Sequence, residues 1–196
     1  MNIVSVILAS GSPRRREILT DMNLRFEVIT SDIEEKFIVG ESAIDGAKRL
    51  AFEKGEPVAK NNRTSLVISA DTVVSLDGEI MGKPADEADA RRMLESVSGV
   101  VHQVVSGVSF VLIDEGISEV VSSVSDVKFY PLSEVEIDEY LSTGEWEGKA
   151  GGYAIQGAGG KLIERCDGSF SNVVGLPITE VLKFASSFGF ERLPWE

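Results

Sequence analysis

The run Ser10-Gly11-Ser12-Pro13-Arg14-Arg15-Arg16 sets two hydroxyls, a glycine and three arginines at one junction, where the apolar stretch Ile3 to Ala9 gives way to a helix. Ser12 has the side chain of an N-cap, and Pro13 stands at the first helical position. Cations in a helix's first turn oppose the positive end of its macrodipole, each at a cost of about 0.3–1 kcal/mol. An anion bound there reverses the sign, because free backbone N–H groups and guanidinium forks both face it. The chemistry indicated is phosphate binding by Ser10, Arg14 and Arg15. It is not that of a P-loop, since no GxxxxGK[ST] occurs. The alternative is a surface helix whose arginines pair with some of the 32 acidic residues. A single helix face cannot hold three adjacent side chains, so Arg16 is expected in solvent.

Other residues can serve the same chemistry. Lys54 falls on the stripe of Ala47, Leu50 and Ala51, where another apolar residue would be expected. A lysine snorkelling at a helix end is the plainer reading of it. Lys83 sits in the turn Met81-Gly82-Lys83-Pro84. Asp71 follows the apolar run Leu66 to Ala70. Ligand sites in α/β sheets favour the carboxyl ends of strands, where a carboxylate holds a metal or orients water. A turn aspartate bonding to backbone amides would look the same. Glu34-Glu35 follow a strand ending near Thr30, and one of them can supply a second carboxylate. The segment Lys149-Ala150-Gly151-Gly152-Tyr153-Ala154-Ile155-Gln156-Gly157 allows close backbone approach, with the Tyr153 ring for stacking and the Gln156 amide for a base edge. His102, in an alternating strand, reads as structural, and Cys166 reads as a packed thiol.

The elements that must position these groups follow from periodicity and punctuation. Ile3 to Ala9 has the continuous apolar character of a strand buried on both faces. Ile18, Leu19 and Met22 give the next helix its apolar face. Leu24, Phe26 and Val28 alternate as a second strand. A helix from Ser42 is expected to stop near Gly55, because Pro57 disfavours helical geometry at Glu56. Leu66 to Ala70 is a strand, and Val73 to Met81 a hairpin turning at Asp77-Gly78. Glu87 to Val97 is helical, with Ala90, Met93, Leu94 and Val97 inward. Val100 to Ile113 and Ile117 to Phe129 are long antiparallel strands. Ser133 and Glu136 make a capping box for a helix reaching Gly144. Gly148 to Gly160 is a loop carrying six glycines. Leu162 to Arg165 and Phe170 to Val174 read as short strands, and Leu176-Pro177 opens a last helix through Val181, Leu182 and Phe184. Alternating strands and helices followed by a meander indicate an α/β or α+β chain with a mixed sheet.

Composition narrows the function. The chain has 196 residues, which suit one domain, and no linker divides it. One cysteine and one histidine exclude a disulfide framework and a multi-histidine zinc site. A net charge of −13 argues against nucleic-acid polymers as partners, whose binding rests on phosphate neutralisation by Lys and Arg. A free nucleotide in a local basic pocket remains compatible. The start MNIVSVILAS lacks a basic n-region, and no stretch reaches the ~20 apolar residues of a membrane span. A cytoplasmic protein is the expectation.

Together, Leu8-Ala9-Ser10-Gly11-Ser12-Pro13-Arg14-Arg15, Ser69-Ala70-Asp71-Thr72-Val73-Val74, Gly82-Lys83-Pro84, Ser98-Gly99 with His102, Lys149 to Gly157, and Val173-Val174-Gly175-Leu176-Pro177 closely resemble the Maf family. The blocks occur in family order from residue 8 to residue 177. The resemblance implies a house-cleaning nucleoside triphosphate pyrophosphatase that uses a divalent metal, Mg²⁺ or Mn²⁺. It implies an α/β fold related to the inosine triphosphatases: a mixed twisted sheet with flanking helices and two lobes around a central cleft. The catalytic aspartate maps onto Asp71, and the phosphate-site and carboxylate positions onto Ser10, Arg14, Arg15, Glu35, Lys54 and Lys83. Asp71 and Glu35 are the implied metal ligands. Arg14, Thr72 and Gln156 match the branch that acts on dTTP and UTP, with Thr72 and Gln156 reading the pyrimidine. A homodimer is a further implication. The competing class is a nucleotide-sensing module acting on septum formation with little turnover, since the family was also named for inhibiting that process.

Overall fold

The computed structural model describes residues 4–195. Among them seven strands form one mixed sheet: β1 (Val6–Leu8), β2 (Glu27–Val28), β3 (Leu66–Leu76), β4 (Glu79–Met81), β5 (Val101–Leu112), β6 (Ile117–Phe129) and β7 (Ile163–Asp167). Their order is β2-β1-β3-β5-β6-β7, with β4 folded back onto β3. β1 is parallel to β2 and β3, and the remaining pairings are antiparallel. The helices are α1 (Pro13–Asp21), α2 (Ala43–Asn61), α3 (Glu87–Val97), α4 (Glu134–Leu141), α5 (Phe170–Val174) and α6 (Ile178–Phe188). This is the mixed α/β class expected, with one sheet and helices on both faces.

Alternation along β3 divides the core. Val67 packs with Ile7, Ala9, Val58, Ala59 and Val111, and Val73 with Ala47 and Val105, all beneath α2. Leu66, Ile68, Ala70 and Val74 point the other way into the larger core, with α3, α4 and α6. Each such aliphatic side chain contributes roughly 1.5–3 kcal/mol on burial.

Helix α2 departs from expectation in a way that matters for function. Ser42 caps it by accepting from the Asp45 N–H at 3.1 Å, as the sequence suggests, but it runs past Gly55 and Pro57 to Asn61. An interior proline removes one backbone bond, at a cost of about 3 kcal/mol. The turn beyond it buries Val58 and Ala59 against β1 and β3, and that apolar contact offsets the loss. Glycine makes the close docking possible. A Cβ at Gly107 on β5 would overlap the Ala47 carbonyl, and one at Gly55 would overlap the Ser69 hydroxyl. Ser69 Oγ in turn donates to the Ala51 carbonyl at 2.7 Å. The helix therefore lies directly on the sheet, with Lys54 over β3.

Three further readings are corrected. The strand expected over Leu24, Phe26 and Val28 shrinks to Glu27–Val28, with Leu24 in an isolated bridge to Trp195. Phe170–Val174 is a helix, not a strand. A five-residue apolar run cannot reveal its period, and Ser169 Oγ decides the matter by accepting from the Asn172 N–H at 3.3 Å. The Asn172 amide is then buried, donating to the Val104 carbonyl and Ser125 Oγ at 2.9 Å each. The capping box at Ser133 and Glu136 is present, but α4 ends at Leu141. Elsewhere the readings hold: α3 spans Glu87–Val97, and the β3–β4 hairpin turns through Asp77 and Gly78 with φ of 51° and 86°. Ile3 lies outside the described residues.

Candidate active site

The site forms along one edge of β3. β1 pairs with β3 only as far as Leu8 opposite Ile68, and β4 reaches back only to Met81 opposite Val74. From Ser69 to Val73 that edge is open, while β5 pairs along the other. Asp71 was expected just beyond a strand ending at Ala70. Instead β3 runs on to Leu76, and it is β1 that stops, as Ser10 and Gly11 turn the chain into α1. A cavity of about 460 Å³ opens at this gap.

Neighbouring residues on a strand face opposite sides, so Asp71 and Thr72 organise two different groups. On the α2 side, Lys54 Nζ donates to Asp71 Oδ1 at 2.5 Å and lies 2.9 Å from Glu35 Oε1. Lys83 Nζ donates to Glu35 Oε2 at 2.8 Å. The four side chains thus alternate in charge: Asp71, Lys54, Glu35, Lys83. Burial alone would raise the Glu35 pKa, but hydrogen bonds from Lys54 and Lys83 outweigh it and hold the carboxyl down to about 2. Glu35 is ionised at any working pH.

On the other side, Arg15 is clamped. Its Nε donates to the Gly175 carbonyl at 2.8 Å, Nη1 to Ser10 Oγ at 3.1 Å and Nη2 to Thr72 Oγ1 at 3.2 Å. Thr72 Oγ1 also shares a 2.8 Å hydrogen bond with Ser106 Oγ. Burial lowers the Arg15 pKa, and the charges of Asp71 and Glu35 oppose that shift. The Ser12 side chain makes no cap to α1, and no acidic residue occupies the first turn of that helix. The Ser12 N–H donates instead to Ser10 Oγ at 3.3 Å. The first turn of α1 therefore faces the cavity without a protein anion, beside Arg14 and Arg15. Arg16 is exposed, as expected.

The cavity is lined by Arg14, Arg15, Lys54, Lys83 and Lys149 against two carboxylates, Asp71 and Glu35. A chain of net charge −13 has gathered an excess of cations at one place. Lys149 was not singled out by sequence reasoning, since a lysine in a glycine-rich loop carries no periodic signal. Its loop is tied down by Gly151 N–H donating to the Gly82 carbonyl at 3.0 Å, beside Lys83. Gly151 takes φ of 67° there and packs against Val74, where no side chain would fit.

Two aromatic and amide expectations are revised. Tyr153 lines the cavity but is only 5% exposed, so it offers no open ring for stacking. Its hydroxyl lies 2.7 Å from His102 Nε2, and both rings pack edge-on with Phe129. Tyr153 anchors the loop. Gln156 is exposed and is not part of the cavity wall. Cys166 is half-buried away from the cavity, and burial raises its thiol pKa, as suits a packed side chain.

His102 has a measurable consequence. Burial pushes its pKa down to about 4, whereas an unfolded histidine titrates near 6.5. The unfolded chain thus binds a proton first. Stability contributed by the neutral ring is complete above pH ~6.5 and declines as pH falls to ~4, with a slope of up to ~1.4 kcal/mol per pH unit. His102→Phe should remove that component of the slope, as read from urea unfolding at pH 7 and pH 4.5.

Asp71 and Glu35 are also the oxygen donors a cation would meet. Among the described residues no cluster of three or more His, Cys, Asp or Glu side chains is arranged to hold a metal. Mg²⁺ usually takes one or two carboxylates and completes its shell with water and substrate phosphates. Two carboxylates beside a cationic wall fit that mode.

Comparison with known proteins identifies the family. The model of the family described as Maf-like protein matches residues 5–188. A Clostridioides difficile (strain 630) protein named dTTP/UTP pyrophosphatase is 47% identical over 178 residues, covering 91% of this chain and 92% of its own. A protein of the same name from Chromobacterium violaceum is 45% identical over 195 residues, covering 97% and 98%. Among solved structures, the Staphylococcus aureus Ham1 protein aligns with 65% of this chain and 72% of its own, at 20% identity and a TM-score of 0.48. No described helix is long and apolar enough to cross a membrane. A family match over nearly the whole chain, with relatives well above 40% identity, places this chain in the Maf-like protein family.

Proposed function

We propose that this chain hydrolyses nucleoside triphosphates, dTTP and UTP foremost, at the α-phosphorus, releasing the monophosphate and pyrophosphate. The observation that carries the reading is the cavity itself: five cationic side chains around Asp71 and Glu35 in a strongly acidic chain. The relatives' shared name, dTTP/UTP pyrophosphatase, supports the substrate class. A triphosphate brings about four negative charges, and a local excess of cations is what holds it.

The geometry suggests a division of labour. Lys54 engages Asp71 Oδ1, while Oδ2 has no hydrogen-bond partner among the described residues. Oδ2 takes the proton of a water whose oxygen attacks the α-phosphorus, and the bond to the bridging oxygen breaks as pyrophosphate leaves. Arg15, held by Ser10, Thr72 and Gly175, presents a fixed charge to the phosphates, and the lysines stabilise charge developing on the leaving group. Asp71 and Glu35 are the residues that would hold a divalent cation, Mg²⁺ or Mn²⁺, which when bound neutralises phosphate charge. Of the three residues that match the dTTP/UTP branch in this reading, Arg14 and Thr72 line the cavity.

The test is a nucleotide panel with Mg²⁺ or Mn²⁺, resolving monophosphate, diphosphate, pyrophosphate and orthophosphate. UMP or dTMP with pyrophosphate, at rates well above those for ATP and GTP, is the expected result. Orthophosphate with a diphosphate would mean cleavage at the γ-phosphate and would overturn the mechanism. Tight nucleotide binding without turnover would point to a sensing role instead.

A further inference from the structure

The cavity's cations are not equivalent. Lys54 and Lys83 are paired with Asp71 and Glu35, and Arg15 has its fork filled by Gly175, Ser10 and Thr72. Arg14 and Lys149 have no carboxylate within ion-pair distance among the described residues. Arg14 makes no hydrogen bond there, and Lys149 Nζ meets only the Glu147 carbonyl, at 2.9 Å. Both line the cavity and are partly buried. A partly buried cation without an ion-pair partner is costly, and two facing one cavity repel each other. Burial and the Arg14 charge lower the Lys149 pKa against the more distant charges of Glu145 and Glu147, consistent with that proximity. Gly148 and Gly151, at φ of 66° and 67°, shape the loop that holds Lys149 in place.

We infer that Lys149 is a substrate-binding residue which, with Arg14, seats the pyrophosphate half of the nucleotide. The inference rests on the pyrophosphatase reading above and deepens it. In that reaction the attacked phosphorus belongs beside Asp71 and Glu35, and the departing pyrophosphate gains negative charge. Cations without an ion-pair partner stabilise such charge most, because no carboxylate in direct contact competes for them. The unpaired Arg14 and Lys149 meet that requirement; Arg14 stands in the first turn of α1, where no acidic residue opposes it, and Lys149 lines the same cavity.

The experiment titrates inorganic pyrophosphate and, separately, UMP into wild-type, Lys149→Gln and Lys149→Arg proteins by calorimetry. EDTA is present, so that only the protein's own cations are read. Lys149→Gln should weaken pyrophosphate binding about tenfold and change UMP binding less than twofold, with Lys149→Arg restoring most of the loss. Thermal melts of the same samples check folding. Weakened UMP binding with intact pyrophosphate binding would place Lys149 at the nucleoside end and overturn the assignment, as would no change in either. A wild-type protein that hydrolyses UTP but does not bind pyrophosphate overturns the seat and leaves the pyrophosphatase reading standing. Lysine-dependent pyrophosphate binding without turnover of any nucleotide does the reverse.

Discussion

Asp71→Asn should lower kcat for UTP by about 10³-fold, within the range a positioned general base supplies, while the protein melts cooperatively near the wild-type temperature. The side chain is 5% exposed and faces Lys54 across 2.5 Å, so the substitution removes a charge without changing shape. Lys54 keeps a partner in Glu35 at 2.9 Å, and no buried ammonium is left alone. Substrate affinity should hold or rise, since one carboxylate fewer opposes the triphosphate. The expected signature is a collapse of kcat with KM unchanged or lower, which marks the loss of an interaction made in the transition state. Steady-state kinetics together with a urea melt reads both halves. A parallel fall in stability and rate would assign Asp71 a structural role.

Arg15→Lys should lower kcat/KM by about 10²-fold although the charge is kept, a loss typical of a misplaced positioning group. The guanidinium reaches three partners at once, the Gly175 carbonyl, Ser10 Oγ and Thr72 Oγ1, at 2.8, 3.1 and 3.2 Å. An ammonium on a flexible stem is a point charge and cannot span that fork. Those three partners belong to the loop after α5, the turn after β1 and strand β3. Arg15 thus fixes the relative placement of the cavity walls as well as its own charge. Thr72→Val removes one of the acceptors and should produce a smaller loss in the same direction. If Arg15→Lys retains near-wild-type kcat/KM, charge alone suffices and the clamp is dispensable.

The parts of the site that were legible in the chain are those where one residue contradicts its local pattern. Arginines in the first turn of α1 contradict the helix dipole, and Lys54 contradicts the apolar stripe of α2; of these, Arg14, Arg15 and Lys54 line the cavity. Asp71 was found by an argument about strand ends that does not hold, because β3 continues to Leu76. The opening comes from the end of β1, a fact about pairing that no single strand displays. From its local pattern Glu35 could be named only as one of an acidic pair, since the segment between β2 and α2 has no periodic structure to orient it; the family resemblance singled it out. Lys149 was in view within the glycine-rich run, but a loop lysine gives no face to reason from. The same limit explains the helices. Pro57 signals an end to α2 that packing against β1 and β3 overrides, and Phe170–Val174 is too short to show whether its period is 2 or 3.6. Tyr153 and Gln156 offered suitable chemistry by type. The fold gave Tyr153 to His102 and left Gln156 in solvent.

The central claim, water attack at the α-phosphorus, is tested most directly by a turnover of UTP in ¹⁸O-labelled water, with the products separated and weighed by mass spectrometry. The expected result is one ¹⁸O in UMP and none in pyrophosphate, abolished in Asp71→Asn. Label in pyrophosphate, or in orthophosphate released beside UDP, would place the attack at the β- or γ-phosphorus and contradict the role assigned to this cavity.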